Sequence, residues 1–342
     1  MTPPPSAIPS DERACWATLM TSEHLLPGLV VFADSLLRTH ASRYPLVVMT
    51  TSKLSHRALA VLAAIRNVVV RPVEPIYPQL AGTHLATPRF GEVWTKLRVW
   101  DLDEYDRVVL VDSDMLVTRN MDELMLDDTV FAPHGAPDKA DQWIASSFAC
   151  TCNPNRIKTY PDDWIPANCG YTPQSHPSAL TSPLQPTASS PPTHRLINSG
   201  LVVLRPDSTT LRRMIERINT DPRVVAYRFP DQDFLADWFE DRVKILPWTY
   251  NALKKLKTVH PNIWRDQEVR NVHYILDKPW KLGRPGTPAN PKDIDAEIHS
   301  WWWDAFDRLR QPARYNSKDG SFAISSDDWR ECVESYVTLS LS

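Results

Sequence analysis

Glycine is scarce in this sequence, with 9 residues among 342, whereas proline is abundant with 31. Neither G-x-G-x-x-G nor G-x-x-x-x-G-K occurs, so a glycine-rich phosphate loop is not expected. An excess of charge of one sign is also lacking, because 38 Lys and Arg oppose 41 Asp and Glu. The net charge of −3 gives no general reason to expect nucleic acid or an anionic membrane as a partner. No window reaches the roughly 18 uninterrupted apolar residues of a membrane span.

Cysteine is too rare and too scattered to form a disulfide framework. The five cysteines are an odd number for a chain of this size, so we expect reduced thiols. The acceptor pattern N-x-[ST] is absent, and residues 1–13 carry prolines and charges where a signal peptide needs an apolar run. These absences predict a cytoplasmic protein with a flexible leader at 1–13. Cys150-Thr-Cys152 with Cys169 and His176 suggests zinc, but C-x-C lacks the usual ligand spacing and gives that interpretation little support.

Apolar strands alternate with amphipathic helices along most of the chain. The first pair is a strand at 14–20 and a helix capped by Thr21-Ser22, with apolar positions from Leu26 to Leu37. With 42% hydrophobic residues the chain can bury a sizeable core. The alternation predicts an α/β fold with a mostly parallel central sheet and helices on both faces. The other predicted strands are 46–50, 68–73, 107–112, 197–205 and 243–246, and the other predicted helices are 55–66, 92–102, 207–219, 231–239 and 327–336.

The periodicity disappears between 153 and 194, where nine prolines and ten Ser or Thr fall within 42 residues. We expect an inserted, partly disordered loop that either shapes an acceptor site or forms passive surface. The chain then divides into a main domain at 14–285 and an irregular, aromatic C-terminal extension at 286–342. The chain has 13 tryptophans, which suit a sugar-binding enzyme, although core packing explains Trp301 to Trp303 better.

Two acidic residues at alternate positions mark the end of the predicted strand at 107–112. Asp112-Ser113-Asp114 would place both carboxylates at the carboxyl end of a parallel sheet, where open α/β folds bind ligands. Two buried like charges are costly unless a cation shares them, and hard oxygen ligands favour Mg²⁺ or Mn²⁺. Taken alone, the pattern is also typical of turns and helix caps.

Five segments strengthen the interpretation of the acid pair. They are residues 92–124, which contain it, I-N-S-G at 197–200, D-Q-D at 231–233, L-P-W-T-Y-N at 246–251 and V-H-Y-I-L-D-K-P-W at 272–280. Together and in this order they resemble the glycogenin-like nucleotide-sugar transferases of glycosyltransferase family 8. One such match would be weak, whereas five in order are strong.

The resemblance implies a GT-A type fold, in which one Rossmann-like domain binds a UDP-sugar through a divalent cation, usually Mn²⁺, and transfers the sugar with retention. It implies metal ligands at Asp112, Asp114 and His273. It implies that the donor is bound by Leu19, Thr21, Ser22, Lys96, Asp112, Ser113, Asn198, Ser199 and Lys278. It implies a reacting centre lined by Asp231, Gln232 and Asp233.

The chemistry of the implied reaction accounts for these residue types. Breaking the bond between a sugar and a diphosphate develops negative charge on the leaving group, which a metal and a fixed ammonium stabilise. Lys96 and Lys278 would supply that ammonium, although either lysine alone is typical of a solvated surface. By the resemblance, Gln232 would lie by the anomeric carbon, opposite the leaving group. An amide is a feeble nucleophile, so we expect it to support an oxocarbenium-like state while the acceptor attacks.

The sequence leaves the partners of this reaction open. UDP-glucose and UDP-galactose both fit as donors, a glycan, a polyol or a protein hydroxyl as acceptor, and a homodimer is neither required nor excluded. A catalytically silent scaffold that binds nucleotide or glycan is an alternative. A haloacid-dehalogenase-like phosphatase that uses Asp112 and Asp114 is another, but such enzymes place the pattern on their first strand, and here about a hundred residues with their own strands precede it.

Overall fold

Two sheets organise the structure, a computed structural model that describes residues 13–79, 92–126, 143–310 and 324–339. The strands among these residues are β1 (Ala14–Met20), β2 (Leu46–Thr50), β3 (Val68–Pro72), β4 (Arg107–Val111), β5 (Met115–Val117), β6 (Ile144–Phe148), β7 (Ile197–Leu204), β8 (Val243–Ile245), β9 (Ala252–Leu253) and β10 (Asn271–His273). Seven strands form the central sheet in the order β3-β2-β1-β4-β7-β6-β8. The other three form a small sheet in the order β5-β10-β9.

The central sheet is mostly parallel, as predicted. Only β7 runs against its neighbours, and it pairs antiparallel with both β4 and β6. The remaining pairings within this sheet are parallel. All residues of β2 and β4 are buried, which explains why these strands appear in the sequence as continuous apolar runs rather than as alternating patterns.

Helices flank the central sheet, and the predicted α/β class is confirmed. They are α1 (Leu26–Ala33), α2 (His56–Ala63), α3 (Ser208–Thr220), α4 (Pro230–Trp238), α5 (Leu256–Val259), α6 (Pro279–Leu282), α7 (Ala296–Arg310) and α8 (Ser326–Asp328). Among the described residues, no helix combines the length and the apolar character needed to cross a bilayer.

Of the two predicted helix caps, one is confirmed and the other is not. Ser55 caps α2 as predicted, because its hydroxyl accepts a hydrogen bond of 3.2 Å from the amide of Ala58. Ser22 makes no such bond and instead precedes a short 3₁₀ turn that leads into α1. The helix predicted at 92–102 is also a 3₁₀ helix, Val93–Asp101, which buries Trp94, Leu97 and Trp100.

Residues 153–194 form an irregular segment as expected, but the expected partial disorder is wrong. This segment contains three 3₁₀ turns, at Pro166–Asn168, Pro177–Leu180 and Pro192–Arg195. Cys169 and Tyr171 within it are fully buried. The side-chain amide of Gln185 also exchanges two hydrogen bonds with the main chain of Ile245 on the edge strand β8. Proline removes the periodicity that predicts helices and strands, but it does not prevent a chain from packing.

The C-terminal region is more regular than expected, because α7 runs for 15 residues. Trp302 and Trp303 are buried, as the core-packing interpretation predicted. The Trp302 ring lies 5.3 Å from the ring of Trp280 and 5.0 Å from that of Phe306, measured between centroids. Contact with Trp280 joins the predicted extension to the predicted main domain. The division at residue 285 stays a prediction.

Candidate active site

The acid pair lies where the two sheets meet. Asp112 follows β4 directly, and its amide donates a hydrogen bond of 2.9 Å to the carbonyl of Gly200 on β7. Asp114 precedes β5, and its carbonyl accepts one of 2.9 Å from the amide of Tyr274, just after β10. Both sheets therefore fix the main chain on either side of Ser113.

The predicted metal ligands are brought together. One ligand atom from each of Asp112, Asp114 and His273 lies within 4.8 Å of the other two, and we call these three residues the acid cluster. Nε2 of His273 is 3.7 Å from a carboxylate oxygen of Asp112 and 3.4 Å from one of Asp114. His273 ends β10, where it pairs with Met115, the residue after Asp114. The antiparallel register thus brings residues about 160 positions apart into one cluster.

The orientation of His273 is fixed by groups outside the cluster. Its Nδ1 lies 2.9 Å from the side-chain oxygen of Asn251, so a proton on Nδ1 leaves a lone pair on Nε2 directed at the two carboxylates. Gly200 makes this approach feasible, because a Cβ there would lie 2.3 Å from the His273 ring. A cation shared by three such donor atoms would offset their mutual repulsion, and two carboxylates with one imidazole suit Mn²⁺. The residues present therefore fit a hard or borderline divalent ion.

Two lysines neutralise the carboxylates from opposite sides. Lys96 lies 2.8 Å from Asp112 and 3.0 Å from Asp231, and Lys278 forms an ion pair with Asp114. Burial alone would lower the pKa of Lys96, but the two carboxylates more than compensate and raise it above its ordinary value. Burial likewise opposes ionisation of Asp114, yet Lys278 and His273 hold its pKa well below the usual range.

A chain of amides connects the acid cluster to the predicted reacting centre. The side chain of Asn251, which binds His273, donates a hydrogen bond of 2.9 Å to Asn198 Oδ1. Asn198 Nδ2 lies 3.3 Å from Gln232 Oε1, near the upper limit for such a bond. Asn198 is the second residue of β7, and the reversed direction of that strand places it beside the carboxyl end of β4.

Asp231 and Asp233 take different places although they are two residues apart. Asp231 lines the cavity, where it accepts a hydrogen bond of 2.8 Å from the hydroxyl of Ser199 and forms an ion pair with Lys96. Asp233 lies outside the cavity lining, and its carboxylate accepts hydrogen bonds of 2.8 and 2.9 Å from the amides of Arg228 and Phe229. This placement gives Asp233 a part in holding the start of α4, and its position at the reacting centre stays a prediction.

The predicted donor-binding residues open onto one cavity of about 930 Å³. Those that line it are Leu19, Thr21, Ser22, Lys96, Asp112, Ser113, Asn198, Ser199 and Lys278. The cavity is also lined by Asn153, Ile157, Tyr160 and Trp164 from the Pro-rich segment. A space of this size accommodates a nucleotide sugar with room beside it.

Sequence reasoning missed a small group of residues at one end of this cavity. Tyr77 is half exposed there, and its hydroxyl donates a hydrogen bond of 3.0 Å to Glu92, which also forms an ion pair with Lys53. Tyr77 lies in an irregular stretch after β3, so no periodic pattern marked it. The sequence carries no signal that identifies Tyr77. Only the folded structure brings it beside the other residues that line the cavity, Thr21 among them.

The fold and the site together define a class of protein. A mostly parallel sheet, an acid pair where its strands end, and a cavity above them are the features of a GT-A type nucleotide-sugar transferase. A family model described as Glycosyl transferase family 8 matches residues 17–282, so the chain belongs to that family. It is a glycosyltransferase that uses a nucleotide sugar with retention of configuration, and the phosphatase alternative is wrong.

Individual relatives agree with this assignment. Galactinol synthase 5 of Arabidopsis thaliana is 30% identical over 277 residues, which cover 80% of this chain and 76% of the relative. Galactinol synthase 1 of Ajuga reptans is 28% identical over 277 residues, which cover 80% and 75%.

Solved structures agree with the fold. The galactosyltransferase LgtC in complex with donor and acceptor sugar analogues superposes with a TM-score of 0.55 at 16% identity, covering 93% of this chain and 99% of that one. The bifunctional glycosyltransferase WbbM in its apo form gives a TM-score of 0.54 at 18% identity, covering 90% and 51%. At these identities the likeness concerns the fold alone.

Proposed function

We propose that this protein is a metal-dependent hexosyltransferase that takes a hexose from UDP-glucose or UDP-galactose and transfers it, with retention, to a hydroxyl of a small polyol or glycan. The observation that carries the proposal is the acid cluster at the floor of a cavity large enough for a nucleotide sugar, with a lysine ammonium on each side. A divalent ion held by the acid cluster and the two lysine ammonium groups would place positive charge around the diphosphate, which must be bound and then released.

Asp112, Asp114 and His273 would hold the divalent ion, for which Mn²⁺ is the best match to two carboxylates and an imidazole. When bound, such an ion supplies positive charge to the diphosphate leaving group. The cluster is held before any substrate arrives, because strand pairing fixes His273 and Asn251 fixes its ring. Little rearrangement is then needed during the reaction.

Lys278 and Lys96 would stabilise the leaving group on its other sides. Lys278 lies at the start of α6, where the main-chain carbonyl of Tyr274 accepts a hydrogen bond of 2.7 Å from its ammonium. That contact anchors the ammonium while it also meets Asp114. Lys96 is held between Asp112 and Asp231, which positions it between the acid cluster and the predicted reacting centre.

Gln232 would face the sugar. It is buried at the start of α4, lines the cavity and meets Asn198. We assign it the role of steadying positive charge at the anomeric carbon by its amide oxygen, while the acceptor hydroxyl attacks from the leaving-group side and the oxygen of the sugar–phosphate bond leaves with its electron pair. The acceptor proton then passes to that leaving oxygen.

The nucleoside would occupy the end of the cavity formed by Leu19, Thr21 and Ser22. None of these offers a ring for a base to stack on, but Tyr77 is half exposed in the same cavity and binds Glu92, which also contacts the side chain of Thr21. We therefore place the uracil against Tyr77.

The acceptor class rests on the relatives and on the cavity. The curated relatives are named galactinol synthases, and a hexosyl polyol is the product such a name describes. Tyr160 and Trp164, with ring centroids 5.0 Å apart, line the wall that remains for an acceptor. Aromatic walls suit the apolar faces of sugars and cyclic polyols.

Titration calorimetry with UDP on EDTA-treated protein tests the donor half of this proposal. Binding should require a divalent cation, with Mn²⁺ most effective, and Asp112→Asn should abolish this metal-dependent binding. Asp241→Asn, at an exposed turn, is the matched control and should bind as wild type does. Equal affinity with and without metal would contradict the site.

Donor hydrolysis tests turnover without knowledge of the acceptor. UDP release from UDP-glucose and UDP-galactose should be measurable with Mn²⁺ and should accelerate when a polyol acceptor is added. Binding without release from either donor, at any acceptor, would favour a silent scaffold instead.

A further inference from the structure

A second group of metal-ligating side chains lies away from the acid cluster. Cys150, Cys152, Cys169 and His260 each offer a ligand atom within 4.8 Å of the other three, and we call them the thiol cluster. Nε2 of His260 lies 3.1 Å from the sulfur of Cys152 and 3.4 Å from that of Cys169. His260 is 3% exposed and Cys169 is fully buried. The fourth residue is not the His176 that the sequence suggested.

The four side chains come from three separate parts of the chain. Cys150 and Cys152 follow the C-terminal end of β6, and Cys169 comes directly after the 3₁₀ turn Pro166–Asn168. His260 ends α5, with its amide bonded to the carbonyl of Leu256 at 2.8 Å. Convergence of four soft or borderline ligands from three segments, three of them buried and one half-buried, is unusual for thiols that only fill a core.

The spacing of the ligand atoms suits a tetrahedral ion. With Zn–S of about 2.3 Å and Zn–N of about 2.0 Å, a tetrahedral site separates its ligand atoms by about 3.5 to 3.8 Å. The S–N distances of 3.1 and 3.4 Å and the upper limit of 4.8 Å bracket that range. A disulfide explains the cluster less well, because the cysteines are free. A single disulfide would also leave the third thiol and the imidazole of His260 unexplained.

We propose that Cys150, Cys152, Cys169 and His260 bind one Zn²⁺ ion in a closed, structural site. Three thiolates and one neutral imidazole are a ligand set that zinc favours and Mn²⁺ does not. Binding would release the three thiol protons to solvent and leave the site with one net negative charge. No position remains for a water or a substrate, so the ion takes no part in sugar transfer.

The thiol cluster would anchor the wall of the active-site cavity. Cys150 itself lines the cavity, and the residues that follow Cys152, from Asn153 to Trp164, continue that wall before the chain returns to Cys169. The ion would therefore close a loop of chain at both ends and tie it to α5. Behind the cluster, the Tyr171 ring lies 5.9 Å from that of His260, and its hydroxyl donates a hydrogen bond of 2.8 Å to the carbonyl of Phe148.

Elemental analysis of the full chain, purified under reducing conditions, tests the site directly. We expect about one zinc ion per chain, retained through EDTA treatment that removes Mn²⁺. Cys169→Ser and His260→Ala should each lose most of it. Cys332→Ser, at a buried thiol elsewhere, and His176→Ala should keep it. Less than a stoichiometric amount in the wild type after zinc supplementation, or full zinc in Cys169→Ser, would overturn the proposal.

Cobalt substitution keeps the proposal testable if the variants fail to fold. Wild-type protein loaded with Co²⁺ should show sulfur-to-cobalt charge transfer and the intense visible bands of a tetrahedral thiolate site. Stoichiometric release of zinc on titration with an organomercurial should accompany loss of three thiols. Spectra of an octahedral, oxygen-ligated ion alone, or a disulfide between two of the three cysteines in freshly purified protein, would refute it.

Discussion

The acid cluster and the thiol cluster both gather potential metal ligands, yet they differ in donor type, enclosure and construction. The acid cluster offers two carboxylates and an imidazole at the floor of a large cavity, where further oxygen ligands from a substrate have access. The thiol cluster offers four softer ligands, of which Cys152, Cys169 and His260 are buried and Cys150 is half-buried. The difference fits the two proposals above, in which an exchangeable ion serves the reaction at the acid cluster and a permanent ion serves the fold at the thiol cluster.

The two clusters also differ in the secondary structure that holds their residues. The acid cluster lies on or directly beside paired strands, so β4, β5 and β10 hold its main chain in place without a bound ion. The members of the thiol cluster lie on a loop, a 3₁₀ turn and the end of a four-residue helix. Such elements lack the ladder of hydrogen bonds that fixes strands, and a shared ion would supply the missing constraint.

Asp114→Asn should have the largest effect on activity. We expect a loss of about 10³-fold or more in kcat/KM, because the change removes a metal ligand and its charge. The fold should remain intact, since the change relieves the repulsion between two like charges and Lys278 keeps its hydrogen bond to the carbonyl of Tyr274. Steady-state kinetics and urea unfolding measure both effects. A variant that melts far below wild type would indicate a structural role for Asp114.

Metal removal should separate the two clusters. Brief EDTA treatment should abolish transfer, and added Mn²⁺ should restore it, while the midpoint of thermal unfolding remains that of untreated protein. Removal of zinc by an organomercurial should lower that midpoint by several degrees, because an ion that binds only the folded state stabilises it. A fall of the midpoint with EDTA alone, with zinc still bound, would remove the distinction.

Gln232→Ala should affect turnover but not donor binding. We expect kcat to fall by about 10- to 100-fold with an unchanged Kd for the UDP-sugar, because the amide would act on the charge that develops at the anomeric carbon. Calorimetry and initial rates give the two quantities. Thr220→Ala, on the exposed end of α3, is a suitable control. An unchanged rate would remove Gln232 from the reacting centre.

Acidification should give the smallest effect, through Asp233, which lies outside both clusters. Burial raises the pKa of this carboxyl to about 6, although the amides of Phe229 and Arg228 oppose the shift. The folded state therefore binds the proton more tightly than the unfolded state, so the contribution of Asp233 to stability increases as pH falls through 6.

Between pH 7 and pH 5 this increase should be about 1 kcal/mol. Urea unfolding of wild type and Asp233→Asn at both pH values isolates it, because the difference between the two proteins cancels the titration of other groups. A difference that does not change with pH, or changes with the opposite sign, would contradict the assignment.

Local patterns predicted the elements that carry their own information. Continuous apolar runs located β1 and β2 to the residue, and Ser55 located the start of α2. The same patterns missed β6, a five-residue strand of the central sheet. They also missed β5, β9 and β10, which have two or three residues each, since such short strands exist only through their partners. The patterns also predicted partial disorder in the Pro-rich segment. Its burial depends on aromatic and thiol contacts with distant residues, which a local pattern does not contain.

The sequence by itself determined which chemistry is available: an acid pair after a buried strand, a histidine, two lysines and an amide at 232, in the order that the family places them. Tertiary structure alone decided which of these meet. The reversal of β7 brings Asn198 to the edge where β4 ends, and the packing of α5 brings His260, not His176, to the three cysteines. Neither could be inferred along the chain, because strand direction and helix packing are set by contacts between residues far apart in sequence.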